Sequence, residues 1–329
     1  MTVKLGYHAS HEQFSPRELI DCVVAAEEAG FDCVMSSDHS APWCRAQGHS
    51  GFAWSWLGAA MQATTLPFGV ISVPGGWRYH PAILAQAAAT LAEMFPGRLQ
   101  WLALGSGERL NEGMVGRGWP EKAERNDRLL AGAEIIRALL AGQRVTRRGP
   151  IAVEEAELYT LPRDPLPLVA GALTPATAEW AGGWADGLVT IGGSKEQLEE
   201  IISAFRRGGG SGKPIYLQVH LSYAETEEAA RANAFEQWRC NAVDAQAAEN
   251  LATPEAFEAH TAGVTPAEMD KHVRISAEPG QHAEWLIRDA ELGFDAILLH
   301  NVGRNQKAFI DTFGSKVLPA VVSATAASH

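Results

Sequence analysis

Short apolar runs recur along the chain, each followed by a longer stretch in which apolar positions return every three or four residues. The short runs lie at 3–8, 33–37, 68–73, 100–104, 166–170, 187–191, 215–221 and 296–300. They are near-continuously apolar, as strands buried on both faces must be. The longer stretches cover 16–30, 55–63, 81–94, 122–141, 175–185, 196–207, 227–238 and 306–317 and predict helices. Alternating β and α units imply a parallel sheet. Eight of them within 329 residues predict a single (β/α)8 TIM barrel domain spanning 1–329.

An internal echo supports repeated βα units. Ala29-Gly30-Phe31-Asp32 leads into one strand and Leu292-Gly293-Phe294-Asp295 into another, with Ala185-Asp186-Gly187 a weaker third copy. In each, a helix ends near glycine, a turn follows, and a buried strand begins. Three segments exceed the minimal unit: 40–55 after the second strand, 144–165 before the fifth, and an insertion at about 240–281. Segments that follow strands lie on the face where barrels place active sites. The glycine-rich stretch 208–212 precedes a strand instead of opening a helix, and reads as a flexible turn.

Composition narrows the classes. With 46% apolar and 20% charged residues the chain is globular, and its net charge of −12 argues against a nucleic-acid partner. No run approaches the roughly 20 apolar residues that span a bilayer, and the first residues carry no apolar signal core, so a cytoplasmic protein is expected. Cys22, Cys33, Cys44 and Cys240 form no C-x-x-C pair and read as reduced, packed thiols.

Chemistry-bearing residues gather after the strands. Ser37-Asp38-His39 closes the second strand; histidine titrates near neutrality and suits proton transfer, or it merely caps the loop. Gly105-Ser106-Gly107-Glu108 follows the fourth strand. Its small residues admit a planar ring or a phosphate closely, and a buried Glu108 can become a proton donor; the alternative is a solvated turn. Val73-Pro74-Gly75-Gly76-Trp77 forms a shaped loop after the third strand. His8, Glu12, His220 and His300 face the same mouth, but no metal-ligand spacing is visible, and no metal is expected.

Together these motifs, with Trp43, Ser55-Trp56 and the Tyr79-His80-Pro81 helix start, resemble the luciferase-like monooxygenase superfamily. The resemblance is strongest to its branch of deazaflavin (coenzyme F420)-dependent glucose-6-phosphate dehydrogenases. It covers nearly the whole chain and is thinnest in the insertion. It implies an enzyme with a flavin-type cofactor at the barrel mouth. Asp38, Ser72, Val73, Gly105, Ser106, Gly107, Leu173, Thr174 and Thr177 would bind that cofactor. His39 would be the base, Trp43 would pack by the reacting carbon, and Glu108 would protonate the ring. Glu12 and Lys195 would contact substrate, and Ser72-Val73 would form a non-prolyl cis peptide. Two departures follow. The stretch 240–270 has no lysine or arginine where the family holds its substrate phosphate, so a non-phosphorylated small-molecule substrate is expected. Leu173 and Thr174 replace a glycine pair at the cofactor phosphate, which places FMN ahead of F420 and resembles an ordinary-flavin side branch. FMN chemistry would be hydride transfer or monooxygenation, with a separate flavin reductase as a partner; F420 chemistry would oxidise a sugar or an alcohol. The resemblance further implies a homodimer. A non-catalytic flavin-binding barrel is the reading from another class.

Overall fold

In the computed structural model, which describes residues 3–326, eleven strands are formed. The first two and last three residues of the expected 1–329 span lie outside the described residues. The strands are β1 (Lys4–Ala9), β2 (Cys33–Ser36), β3 (Phe68–Ser72), β4 (Leu99–Leu104), β5 (Val145–Arg147), β6 (Val153–Ala156), β7 (Leu168–Gly171), β8 (Gly187–Ile191), β9 (Ile215–Tyr223), β10 (Arg274–Ser276) and β11 (Ala296–Asn301). The order β9-β11-β1-β2-β3-β4-β7-β8 closes through a β8–β9 pairing into a parallel eight-stranded barrel ringed by helices, the (β/α)8 fold. All eight expected strands are present within a few residues. The excursion at 144–165 contains the antiparallel β5–β6 hairpin, and short β10 pairs with the last residues of β9.

The repeated aspartate explains the echo. Asp32 accepts the N–H of Leu5 at 2.8 Å, Asp186 that of Leu168 at 2.9 Å and Asp295 that of Ile215 at 2.8 Å. Each carboxylate satisfies a backbone donor near the start of a neighbouring strand, where no ladder partner exists. Helix starts follow capping chemistry: Ser15 and Glu18 form a reciprocal box at Pro16–Glu28, as do Ser194 and Gln197 at Lys195–Phe205.

The barrel interior is filled by Cys33, Met35, Trp101, Ala103, Val169, Val189, Ala296 and Leu298, with Ile71 and Tyr216 partly buried against them. Large and small residues alternate across it. The Trp101 indole stacks on Tyr216 at 5.1 Å between centroids, and Gly69 gives it room. A Cβ at Gly69 would lie 2.1 Å from the Trp101 ring, and one at Gly6 2.6 Å from Leu298.

The glycine-rich stretch is not a flexible turn. The helix Lys195–Phe205 widens into the turn Arg206–Gly210, which lies against the helix Pro175–Gly182. A Cβ on Gly208 would meet the Glu179 carbonyl oxygen at 1.8 Å, so glycine here serves close backbone packing. The insertion also folds back over the barrel. Its short helices Ala245–Asn250 and Pro254–His260 seat Phe257, fully buried, against Trp43, Cys44, Leu110 and Cys240.

Gly69→Ala should lower stability by about 1–3 kcal/mol, because the Trp101 ring cannot retreat from a filled interior. Urea unfolding checks this; an unchanged midpoint would show that the barrel floor repacks freely.

Candidate active site

Strand periodicity carries the inward-facing rows of the interior up to His8, Val73, Gly105, Gly171, Ile191, His220 and His300 at the C-terminal rim. His8 and His300 are buried, whereas Val73, Gly105, Gly171 and His220 are half-buried and Ile191 is 37% exposed. The rim is therefore open on the side of β3, β4, β7 and β8 and closed by histidines on the side of β1 and β11.

At the end of β2, Asp38 is buried. One oxygen accepts from Ser72 Oγ at 2.5 Å and Trp54 Nε1 at 3.2 Å; the other accepts from Arg78 at 3.1 Å and the Tyr79 hydroxyl at 3.0 Å. Arg78 also donates to the Asp38 carbonyl, and through Nε to Glu112 at 3.3 Å. One guanidinium thus joins the loop after β3 to both the β2 end and the loop after β4. Burial pushes the Glu112 carboxyl up, against the opposing pull of Arg78.

Next to Asp38, His39 Nδ1 lies 2.6 Å from a Glu12 oxygen that also accepts from Ser37 Oγ at 2.9 Å. Ser10 Oγ donates to the other Glu12 oxygen at 2.7 Å. Burial works to lower the His39 pKa, but the Glu12 carboxylate, through its charge and its hydrogen bond, overrides it and raises the pKa to about 8. Burial pulls Glu12 upward, but His39 and Ser10 hold it well below the usual carboxylate range. With Nδ1 taken, Nε2 is the nitrogen left to meet a ligand.

Glu108 starts the short helix Arg109–Glu112. Burial raises its pKa to about 6, against the lowering effects of His39 and of Asn111, whose Nδ2 donates to Glu108 at 3.1 Å. Asn111 Oδ1 accepts from Ser40 N at 2.9 Å, so a single amide links the β2 and β4 loops. Trp43 meets His39 edge-on at 5.3 Å and Phe257 of the insertion at 5.2 Å. His8, His220 and His300 sit within 5.4 Å of one another in sequence of contact, His8 against His300 and His300 against His220. Burial holds all three neutral: His8 at about 3, His220 at about 4, and His300 well below its ordinary value.

The structure brings Glu12, Asp38, His39, Trp43, Ser72, Val73, Gly105, Gly107 and Glu108 to one mouth. Gly107, at φ +84°, lies so near Val73 that a Cβ there would be 3.0 Å from Val73 Cγ1. Ser106 accepts from Lys122 at 2.9 Å. Thr174 and Thr177 cap the helix Pro175–Gly182, with the Thr174 hydroxyl accepting the Thr177 N–H. Leu173 is 53% exposed and does not fill a pocket. Lys195 opens the next helix, largely exposed, 3.9 Å from Glu199 and in no contact with His39. The expected cis bond at Ser72-Val73 is corrected: every peptide bond among the described residues is trans. The trans form keeps the Ser72 carbonyl on the Gly105 N–H at 3.1 Å and avoids a cost of about 3–4 kcal/mol. Sequence reasoning gave no role to Trp54, Arg78, Tyr79, Asn111 or Glu112. Tyr79 stands inside a motif it singled out and the other four lie within four residues of one; what it lacked was a rule for which loops meet.

A flat cofactor fits this mouth. A Cβ on Gly105 would meet nothing nearer than 3.9 Å, so the β4 rim is open to a ring. Buried His8 Nδ1 and His300 Nδ1 have no hydrogen-bond partner.

Comparison with known proteins agrees. The sequence profile of the luciferase-like monooxygenases matches residues 2–296. The F420-dependent glucose-6-phosphate dehydrogenase of Microbacterium testaceum is 36% identical over 97% of this chain and 98% of its own. That of Mycobacterium tuberculosis is 32% identical over 96% and 97%. A solved F420-dependent secondary alcohol dehydrogenase, in complex with an F420-acetone adduct, superposes with a TM-score of 0.90 at 30% identity, covering 98% of this chain and 99% of that one.

The Glu12–His39 pair predicts a pH signature. A pKa raised from 6.5 to about 8 supplies stability that is fully present below about 6.5 and is lost as pH rises through 8. In NMR titration His39 should titrate near 8 in the native protein and well below that in Glu12→Gln, where the Glu108 charge alone still opposes burial. Equal midpoints in the two proteins would show that Glu12 does not set the charge of His39.

Proposed function

Because the chain belongs to the luciferase-like monooxygenase family and is an oxidoreductase, we propose that it uses coenzyme F420 to interconvert a neutral secondary alcohol and its carbonyl compound. The observation that carries this reading is the 2.6 Å Glu12–His39 contact, which orients an imidazole and leaves Nε2 free at a mouth built for a flat ring. F420 takes precedence over FMN here. The three relatives compared above, at 30–36% identity, are named F420-dependent. In addition, Leu173, on which the FMN preference rested, stands in solvent.

F420, when bound, would supply the hydride acceptor for oxidation of the carbinol carbon. His39 Nε2 takes the hydroxyl proton in oxidation and returns it in reduction. Glu12 orients His39 and stabilises its charged form; its oxygens are occupied by His39, Ser37 and Ser10, so it serves the base and not the substrate directly. Glu108, near pKa 6, exchanges a proton at the ring edge. Asp38, its acceptor positions filled, positions Ser72 and Arg78. Ser72, Val73 and the Gly105–Gly107 backbone would line the ring, and Thr174 and Thr177 would hold the cofactor phosphate at a helix N-terminus. Trp43 and Phe257 form an apolar wall that excludes water.

A neutral substrate follows from the cations. Arg274 is bound at both ends by Asp289, at 2.5 and 3.0 Å. Lys271 pairs with Glu268 at 3.8 Å, and Glu249 of the insertion holds both Lys122 and Arg125. None of these four is unpaired, and a phosphate dianion needs charge-assisted partners. A homodimer belongs to the same proposal: exposed Phe52, Ile83 and Met94 border an apolar groove of about 450 Å³ between the helices Ala53–Ala63 and Pro81–Met94, which a second copy would cover.

Two tests follow. With F420 and a short secondary alcohol, oxidation should consume the cofactor's visible absorbance at a rate that is level between about pH 6 and 8 and falls on either side, since it needs neutral His39 together with protonated Glu108. Reduction of the ketone by reduced F420, which needs charged His39 and ionised Glu108, should follow the same bell. His39→Ala should cost about 10²–10⁴-fold in either direction, and glucose 6-phosphate should not turn over. Tight FMN binding without F420 binding would reverse the cofactor assignment. Light scattering should give a dimer that Ile83→Glu splits into monomers; a monomeric native protein would remove the groove from the proposal.

A further inference from the structure

Away from the proton-transfer residues, two thiols meet. Cys44 follows Trp43 in the loop after β2, and Cys240 lies in the turn Arg239–Asn241 that opens the insertion. Both are buried. Their sulfurs and a Glu258 carboxylate oxygen all lie within 4.8 Å of one another. The Cys240 thiol lies beside Cys44, and the Gln47 and Ala46 amides adjoin it, the Gln47 N–H donating to the Cys44 carbonyl at 3.2 Å. The Cys240 contact lowers the Cys44 pKa, burial opposes it, and the two amides add to the lowering. Cys240 is pushed the other way by Cys44 and by burial. One sulfur is thus prepared to carry charge beside a second that keeps its proton.

We propose that Cys44 and Cys240 form a reversible dithiol–disulfide site that ties the insertion to the loop carrying Trp43. The oxidant is a small hydroperoxide. The Cys44 thiolate attacks one peroxide oxygen, the O–O bond breaks, and with hydrogen peroxide the products are a Cys44 sulfenic acid and hydroxide, which takes up the proton that Cys44 released and becomes water. The Cys240 sulfur then attacks the Cys44 sulfur, the S–O bond breaks, and hydroxide leaves with the Cys240 proton as a second water. The two thiols lose two electrons in all, and the peroxide gains them. The bond would fasten the cluster in which Trp43 packs on Phe257, so the wall of the mouth would become covalent.

The surroundings favour a disulfide over a metal. Glu258 already accepts the Arg45 N–H at 2.8 Å, and no fourth His, Cys, Asp or Glu joins the trio among the described residues. The other thiols act as internal controls. Burial raises Cys33, inside the barrel, to about 12 and Cys22, beside Tyr7, to about 11.

The test uses the full chain with no cofactor. After mild hydrogen peroxide, alkylation of the denatured protein should label two cysteines instead of four, and non-reducing peptide mapping should join the Cys44 and Cys240 peptides. Dithiothreitol should restore all four labels. The oxidised form should melt roughly 5 °C above the reduced one, as expected for a crosslink closing a long loop. In Cys240→Ser a sulfenic acid should persist on Cys44, trapped by dimedone; in Cys44→Ser the disulfide should be lost. Four labels after oxidation, a crosslink through Cys22 or Cys33, or stoichiometric zinc released by Cys44→Ser would each overturn the proposal.

Discussion

A carboxylate cannot stay charged out of water unless donors surround it, and Asp38 is the carboxylate that this mouth is built around. Its four donors come from three places: the helix Ala53–Ala63, the end of β3 and the loop after β3. Arg78 then extends the same electrostatic requirement to Glu112 and the β4 loop. Removing one member of such a buried set typically costs about 3–5 kcal/mol, because a charge is left uncompensated. The position of His39, one residue along, is therefore set by the folding energetics of its neighbour. The loop that carries Glu108 is fixed from the other side by Asn111 and Glu112. Charge satisfaction and preparation for proton transfer are one arrangement of residues.

Two kinds of electrostatic environment meet at the rim. On the β2 side, Glu12 keeps an imidazole charged near neutral pH. On the β1, β9 and β11 side, three imidazoles are packed together where burial outweighs the more distant pull of Glu12, and they stay neutral. The same residue type acts as a proton carrier in one place and as a polar, uncharged wall in the other. The difference is made by one carboxylate and by burial.

What could be read from sequence divides along locality. Eight apolar runs, the helical periods between them and the recurring aspartates before strands are local signals, and they yielded the barrel and the order of its elements. Asp38, His39, Glu12 and Glu108 were legible as chemistry because they follow strands, and a barrel gathers strand ends. The roles of Arg78 and Asn111 were not, since both depend on which loops cross the mouth. The hairpin β5–β6 was missed because its strands are short and polar, Val145–Arg147 and Val153–Ala156. The reading of 208–212 as flexible failed because glycine permits both disorder and the closest packing, and only the facing helix decides between them.

The pairing of Gly69 with Trp101, and of Trp101 with Tyr216, plugs the barrel below its rim. A plugged cylinder has one doorway. Two ligands that shared it would have to queue: a flat one lying against the rim glycines would enter first, a smaller one would land on top of it, and they would leave in the reverse order. A sequence of binding would then follow from the choice of a glycine and a tryptophan well beneath the mouth.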